Sequence, residues 1–194
     1  MRIAIANRKG GCAKTTSAVY LCMAAWMRGI PVRLYDADPQ GSATLWYDLA
    51  SDDKPLPFDV IPANVRSVSR IPDDCLSVID CPADGLALNA ALSVADMIIV
   101  PSSDSPLDVQ QTYETMKSLN PSAVSRVLLT RCERNTVSFR LTVNSLDDAG
   151  VSRFSDAVWK RQAIKNAFGM RPPKLYEYGS VFSDLLMGGK NECS

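Results

Sequence analysis

Residues 7–16, Asn-Arg-Lys-Gly-Gly-Cys-Ala-Lys-Thr-Thr, bring two lysines, two adjacent glycines and two threonines together within ten positions. Small residues allow backbone N–H groups to close around phosphate oxygens, and the N-terminus of a following helix adds partial positive charge. In such a loop Lys14 would reach the β- and γ-phosphates of a nucleotide, and the Thr15 hydroxyl would ligate Mg²⁺. The sequence therefore predicts a phosphate-binding loop.

This loop departs from the standard P-loop pattern, which is Gly, four residues, Gly, Lys and then Ser or Thr. Ala13 stands at the position of the second glycine and Arg8 at that of the first, while an additional lysine, Lys9, precedes Lys14 by five residues. The alternative interpretation is a glycine-rich turn with incidental lysines. An apolar strand before the loop and a helical pattern after it favour the phosphate site.

Two further segments place aspartates at the ends of apolar runs. Residues 36–42 read Asp-Ala-Asp-Pro-Gln-Gly-Ser, and residues 78–82 read Val-Ile-Asp-Cys-Pro. Ligands bind at the carboxyl edge of open α/β sheets, so Asp36, Asp38 and Asp80 would share a crevice with the loop. Asp80 could there hold a Mg²⁺-bound water. Alone, the first segment also fits a turn closing a strand, and the second an ordinary buried strand; their order after the loop favours the site.

The spacing of apolar residues predicts the elements that hold these segments. We expect strands at 3–6, 31–35, 58–61, 75–80, 95–101, 124–130 and 154–159, and helices at 17–28, 86–93, 106–118, 137–149 and 181–187. Strands alternating with helices imply right-handed parallel crossovers. The expected fold is α/β, a single domain over residues 1–194 with a doubly wound, mostly parallel sheet flanked by helices. Most of 51–75 and the Pro-Pro segment at 171–174 are expected to be loops.

Composition limits the chemistry. The chain has 46% hydrophobic and 22% charged residues, which is ordinary for globular proteins. It contains no apolar run of about 18 residues and no signal-peptide pattern, so we expect a cytoplasmic protein. The six cysteines form no Cys-x-x-Cys pair and are interpreted as buried thiols. The absence of histidine excludes Ser-His and Cys-His catalysis and leaves hydrolysis to carboxylates, lysines and metal.

Charges are segregated along a chain whose net charge is zero. The first 35 residues carry six basic and no acidic side chains, whereas residues 120–178 carry ten basic and five acidic ones. A neutral total can hide a basic face that attracts nucleic acid, provided that segregation in sequence survives in space.

Residues 9–16 resemble the deviant Walker A motif of the ParA/MinD family of dimeric ATPases, in which Gly or Ala is accepted at the position of Ala13. Residues 36–42 resemble that family's second motif, Walker A′, and residues 78–82 its Walker B motif, in the same order and spacing. The resemblance looks closest to the small plasmid ParA partition proteins, the ParF-like group, which lack an N-terminal helix-turn-helix domain. Here the first strand begins at Arg2, so we expect no such domain.

The resemblance implies a Mg²⁺-dependent ATPase that converts ATP to ADP and phosphate as a homodimer with ATP sandwiched at the interface. Lys14 would bind the phosphates, Lys9 would contact the nucleotide of the partner subunit, and Asp38 would orient the attacking water. Thr15 and Asp80 would hold the metal, with Asp36 supporting the metal shell. The implied nucleotide-binding residues are Lys9, Gly10, Gly11, Cys12, Ala13, Lys14, Thr15, Thr16, Thr130 and Arg131.

The resemblance also implies partners. Family members bind DNA without sequence preference as ATP-bound dimers, and a centromere-binding, ParB-like adaptor stimulates their weak hydrolysis to segregate plasmid or chromosome copies. The protein is then expected at the nucleoid and not at a membrane. The candidate DNA-binding residues are Lys160, Arg161, Lys165, Arg171 and Lys174, each of which alone also fits a solvated surface cation.

Three alternatives fit parts of the same pattern. A ParA-like ATPase could position a protein cargo, such as a carboxysome or a chemoreceptor cluster. A MinD-like membrane-cycling regulator needs an amphipathic basic helix at its C-terminus, whereas residues 181–194 hold one lysine and end in a polar tail. A reductase of the iron-protein type needs cysteines for a cluster at the dimer axis, and the cysteine pattern favours buried thiols instead.

Overall fold

The computed structural model describes residues 1–50, 52–120 and 123–188. Its elements are, in chain order, β1 (Arg2–Ile5), α1 (Lys14–Trp26), β2 (Val32–Asp36), α2 (Ser42–Leu49), β3 (Asp59–Pro62), α3 (Val65–Val68), β4 (Leu76–Asp80), α4 (Leu86–Val94), β5 (Met97–Ser102), α5 (Pro106–Ser118), β6 (Ser125–Cys132), α6 (Val137–Asp148), β7 (Val158–Trp159), α7 (Gln162–Lys165) and α8 (Tyr178–Gly188).

Within the described residues, seven strands form one sheet in the order β3-β2-β4-β1-β5-β6-β7, and their pairings are parallel. The expected doubly wound α/β fold is confirmed. Parallel strands end at the same edge, and the loops after β1, β2 and β4 therefore meet there. These adjacent strands lead into the phosphate-loop residues 7–16, Asp38 and the segment after Asp80.

Helices cover both faces of the sheet, and successive strand residues alternate between the faces. On β1, Ile3 and Ile5 pack in a cluster with α1, α2 and α8, whereas Ala4 and Ala6 pack in a cluster with α3 and α4. All four side chains are buried, which explains why the strand is a continuous apolar run. A third cluster joins β6 to α5 and α6.

Helix α1 lies between the sheet and α8, and most of its residues are buried. This packing fixes the position of the helix start, at which the phosphate loop ends. Tyr20 of α1 packs against Tyr178 of α8 with ring centroids 4.8 Å apart. The Tyr178 hydroxyl is also within 3.0 Å of Ser17 Oγ. Truncating a fully buried aromatic such as Tyr178 to alanine should cost about 3–5 kcal/mol of stability, so the packing of α8 supports the loop from behind.

Three helices, α2, α3 and α7, lie where none was predicted, and several boundaries also differ from expectation. Helix α2 lies where no helix was expected, because its start depends on a contact with Asp36 that local pattern does not reveal. Helix α3 is a single turn capped by Asn64, whose Oδ1 accepts backbone bonds from Arg66 and Ser67. The strand expected at 154–159 is reduced to β7, before which Arg153 forms only an isolated bridge with Val127. The last helix begins at Tyr178 rather than at 181.

The cysteines described are free thiols; four of them are buried, as predicted, and Cys75 is partly buried. Cys193 and the polar tail at 189–194, on which the MinD-like alternative depended, lie outside the described residues. In the part of the chain that is described, no helix is both long and apolar enough to cross a membrane.

Candidate nucleotide site

The phosphate loop turns through two residues in the left-handed conformation, Gly11 (φ 72°) and Ala13 (φ 71°). Ala13 thus adopts the backbone that glycine would adopt at this position, at a cost of about 1–2 kcal/mol for its Cβ. Ala13 is also the N-cap of α1, and it has no side-chain oxygen to occupy the helix's first N–H groups. The loop therefore presents these donors to an anion.

Asn7 anchors the start of the loop. Its side chain is buried, and its Nδ2 donates to the carbonyl oxygen of Pro101 on β5 at 2.7 Å. Its Oδ1 accepts from the Lys9 backbone N–H at 2.9 Å and from Thr115 Oγ1 at 3.4 Å. Sequence reasoning missed this role, because an asparagine after a strand is also an ordinary turn residue.

Lys14 folds back inside the loop. It is 8% exposed, and its Nζ donates to the carbonyl oxygens of Asn7 (3.2 Å) and Lys9 (3.1 Å). Cys12 fills the loop beside it and is hydrogen-bonded from Sγ to the Lys9 carbonyl at 3.2 Å. Burial raises the pKa of the Cys12 thiol, although the nearby charges of Lys14 and Arg131 oppose this. Cys12 is thus a neutral packing residue.

Lys9 points away from the loop to Asp108, in the first turn of α5. The two form an ion pair, and Asp108 is 4% exposed. Asp108 also accepts from Ser103 Oγ at 2.6 Å and lies 3.5 Å from Arg131 Nη2. Sequence reasoning missed Asp108, because an acidic residue in a first helical turn is explained by the helix dipole alone.

Asp80 is the open carboxylate of the site. It is 1% exposed, and neither of its oxygens has a hydrogen-bond partner among the described residues. Burial raises its pKa to about 7, and the charge of Asp36 adds to this, while the nearby Thr15 hydroxyl and the charge of Lys14 oppose the shift. A buried carboxylate without donors is costly unless a cation satisfies it, so the residues present fit a Mg²⁺ ion held by Asp80 and Thr15.

Asp36 differs from Asp80 although the two are Cα partners on β2 and β4. Its Oδ2 accepts from Thr44 N and Thr44 Oγ1, each at 2.8 Å, and its Oδ1 accepts from Asp38 N at 3.3 Å. Both oxygens of the residue expected to support the metal shell are therefore engaged by its own chain. Asp38 itself lines the cavity in front of the loop.

That cavity has a volume of about 1790 Å³. The phosphate loop and Asp38 line one part of it, and Thr130 and Arg131, near the end of β6, line another. Thr130 Oγ1 donates to the carbonyl oxygens of Cys12 (3.4 Å) and Ser102 (3.3 Å), which joins the two parts. Eight of the ten residues predicted to bind nucleotide therefore line one cavity, whereas Lys9 and Cys12 are not part of its lining.

A family model for the CobQ/CobB/MinD/ParA nucleotide binding domain matches residues 3–167. The chain belongs to this family. One similar protein is the maintenance of carboxysome distribution protein A of Gloeobacter kilaueensis, which is 35% identical over 85% of this chain and 79% of its own length. The protein of that name from Halothiobacillus neapolitanus is 30% identical over 85% and 82%. Protein ParA of Rhizobium radiobacter is 26% identical over 55% and 50%.

Solved structures agree on the fold of this CobQ/CobB/MinD/ParA domain. The apo McdA protein of Cyanothece superposes with a TM-score of 0.75, covering 95% of this chain and 98% of its own, at 17% identity. A plasmid partition protein of Borrelia burgdorferi bound to AMPPNP superposes with a TM-score of 0.74, covering 96% and 98%, at 19% identity.

The basic residues expected to bind DNA fall into two groups in this nucleotide-binding domain. Lys160 pairs with Glu133 at 2.7 Å, Arg161 pairs with Glu177 at 2.5 Å, and both line the cavity, as does Lys165. Arg171 lies over the Trp26 ring at 4.5 Å, away from the cavity lining. Across the described ranges, Lys165, Arg171 and Lys174 have no acidic partner.

Helix α2 contributes an aromatic contact at the far side of the cavity. Trp46 is 1% exposed, its Nε1 donates to the Met170 carbonyl at 2.8 Å, and its ring lies 5.3 Å from that of Phe168. This contact ties the helix that follows Asp38 to the segment that follows α7.

Proposed function

We propose that the protein is a Mg²⁺-dependent ATPase of the ParA type, which dimerises on ATP, binds DNA and thereby positions a cargo. The observation that carries the proposal is that Lys14 and Asp38 line one cavity at the sheet edge. Asp80, the last residue of the neighbouring strand β4, is buried and has no hydrogen-bond partner among the described residues. Phosphoryl transfer needs mainly positioning and positive charge, and these residues supply both without histidine.

Magnesium would be held by Thr15 and Asp80, and it would supply charge neutralisation between the phosphates. The protein's own residues do the rest. Lys14 leaves its two carbonyl partners to bind phosphate oxygens, and the N–H groups that begin α1 donate to the same anion. Asp38 orients the attacking water.

Lys9 would contact the nucleotide of a second copy of the chain, so that hydrolysis depends on dimerisation. In the single chain Lys9 is held by Asp108. Dimerisation would therefore exchange a carboxylate for a phosphate as the partner of the same ammonium group.

A protein assembly is the cargo that the relatives favour. The two carboxysome distribution proteins match over 79% and 82% of their own lengths, against 50% for the Rhizobium partition protein. We propose accordingly that a small adaptor protein links this ATPase to a protein cargo and stimulates hydrolysis. The organelle itself is not specified by any residue of the site.

The second candidate is segregation of plasmid or chromosome copies with a ParB-like adaptor, as the resemblance to small plasmid ParA proteins implies. The Rhizobium relative supports it. Deleting the gene separates the two candidates: loss of even spacing of a protein assembly supports the first, and plasmid loss supports the second.

DNA association would place the protein at the nucleoid. Lys165, Arg171 and Lys174 are its best candidates for contacting phosphates, since they are free of acidic partners in the described residues. Lys160 and Arg161 would contribute only if their pairs with Glu133 and Glu177 opened.

DNA binding by the purified protein with ATP, with ADP and without nucleotide tests the proposal. We expect binding with ATP alone, with affinity falling steeply as salt rises. Lys14→Ala is the matched control, and it should not bind DNA under any of the three conditions. Equal binding in all three conditions would contradict a nucleotide-controlled DNA cycle.

A further inference from the structure

Asp36 and Asp80 lie side by side on neighbouring strands, yet the protein satisfies only one of them. Both are nearly buried, at 3% and 1% exposure. Asp36 accepts three hydrogen bonds, two from Thr44 and one from Asp38 N, whereas both oxygens of Asp80 are open in the described structure. Three donors thus satisfy both oxygens of Asp36 without a metal.

Thr44 bonds to Asp36 and thereby closes a hydrogen-bonded ring formed by residues 36–44. It is the third residue of α2, whose N-cap, Gly41, has no side chain to accept from the first N–H groups. Asp36 supplies that acceptor from eight positions earlier in the chain. Residues 36–44 are thus fixed at one end by β2 and at the other by the first turn of α2.

Asp38 lies inside this ring and has little freedom of its own. Its Oδ1 accepts from Gln40 N at 3.0 Å, and its carbonyl accepts from Gly41 N at 2.9 Å. Pro39 removes rotation about φ at the next position. Asp38, Pro39 and Gln40 line the cavity, whereas Thr44 does not. A shift at the start of α2 is therefore transmitted to Asp38.

We infer that Thr44 is a positioning residue for hydrolysis: its hydroxyl, acting through Asp36, sets where Asp38 lies in the cavity. The inference rests on the proposed function, which assigns Asp38 to the attacking water. Small displacements of an orienting group slow reactions strongly. Removing the hydroxyl while the backbone bond of Thr44 remains should lower kcat about tenfold, which is the effect of one hydrogen bond to a charged acceptor.

Thr44→Val tests this, because valine keeps the branched shape and lacks the hydroxyl. We expect kcat to fall about tenfold, with KM, nucleotide affinity and the Mg²⁺ dependence of nucleotide binding unchanged. Thr44→Ser should restore kcat. The matched control is Thr142→Val in α6, which removes a buried hydroxyl bonded to the Asp104 carbonyl and should leave kcat unchanged. Thr44→Ala replaces the valine variant if that variant does not fold.

A second readout does not need turnover. Amide hydrogen exchange of residues 36–44 in the nucleotide-free protein should speed up in Thr44→Val and not in Thr44→Ser. Unchanged exchange or wild-type kcat in the valine variant overturns the inference. A slow serine variant also overturns it, because packing rather than the hydroxyl would then matter, as does weakened Mg²⁺ dependence. A wild-type protein that hydrolyses no ATP overturns the proposed function instead. The exchange experiment then still shows whether the Thr44 hydroxyl holds residues 36–44 in place.

Discussion

Lys9 forms an ion pair with Asp108, a buried carboxylate 99 positions further along the chain. The lysine that resemblance assigns to a partner's nucleotide is thus held within its own subunit, beside Arg131. In the proposed dimer this pair would have to break before Lys9 could reach the partner's nucleotide. The ion pair would then oppose dimerisation in the absence of a phosphate to replace it.

Asp108→Asn should make ATP-dependent dimerisation easier. The amide keeps the side chain's shape but no longer holds Lys9 by charge, so we expect the dimer dissociation constant with ATP to fall about tenfold, or 1.4 kcal/mol. Sedimentation velocity measures this directly. Asp148→Asn, at an exposed position of α6, is the control for loss of one negative charge. An unchanged dissociation constant would show that Asp108 does not restrain Lys9.

Lys14→Ala should weaken ATP binding at least about 100-fold, because the lysine supplies the charged contact inside the loop. Calorimetric titration measures the loss. Lys117→Ala, at an exposed position near the end of α5, should bind ATP as the wild type does. If Lys14→Ala retains its affinity for ATP, the loop is not the phosphate-binding part of the site.

Asp38→Ala should stop turnover while leaving ATP binding and dimerisation intact. Loss of a group that orients the attacking water is worth about 10²–10⁴ in rate. Single-turnover hydrolysis with a dimerisation assay on the same sample separates the two effects. Asp48→Ala, on the exposed side of α2, should hydrolyse normally. If Asp38→Ala remains active, another residue orients the water.

Asp80 should make the nucleotide-free protein less stable as the pH rises. Its folded pKa of about 7 lies above the unfolded value of 3.8, so the folded state binds the extra proton between these values. Stability from this group is present below pH 3.8 and is lost progressively up to about pH 7. Between pH 5.5 and 8 the loss is about 2 kcal/mol.

Urea unfolding of the wild type and of Asp80→Asn at these two pH values checks the sign. We expect the wild type to lose more stability than the variant between pH 5.5 and 8, and added Mg²⁺ with nucleotide to reduce the difference at pH 8. Equal losses in the two proteins would mean that Asp80 is ionised throughout this range.

Arg171→Glu combined with Lys174→Glu should weaken DNA binding and spare ATPase activity, since neither residue lines the cavity. Losing two phosphate contacts should reduce the slope of log affinity against log salt by about two. Lys117→Glu is the control for charge reversal elsewhere. An unchanged slope would show that residues other than Arg171 and Lys174 form the DNA-binding surface.

Local pattern was sufficient where an element carries its own signal. The apolar runs of β1, β4 and β5 and the Ser105-Pro106 start of α5 were all located from sequence. The order of the glycine loop and the two aspartate segments also predicted the sheet edge at which Lys14 and Asp38 line a cavity and at which β4 ends in Asp80.

Long-range contacts account for what the sequence did not reveal. Helix α2 starts where Asp36 accepts from Thr44, and Lys9 turns to Asp108 across 99 positions. Neither contact produces a periodic pattern in the sequence from which it could have been predicted. Arg161 reads as a free surface cation in sequence but is paired with Glu177 in the fold, because charge along a chain does not give charge in space.

The burial of Trp46 provides an internal optical reporter. Of the chain's three tryptophans, Trp26 is 39% exposed, whereas Trp46 is 1% exposed and lies against Phe168 on the wall of the cavity. We expect emission from Trp46 to be blue-shifted relative to that of Trp26 and to respond to a displacement of α2. Binding of nucleotide in the cavity could then be followed in the unlabelled protein by its own fluorescence.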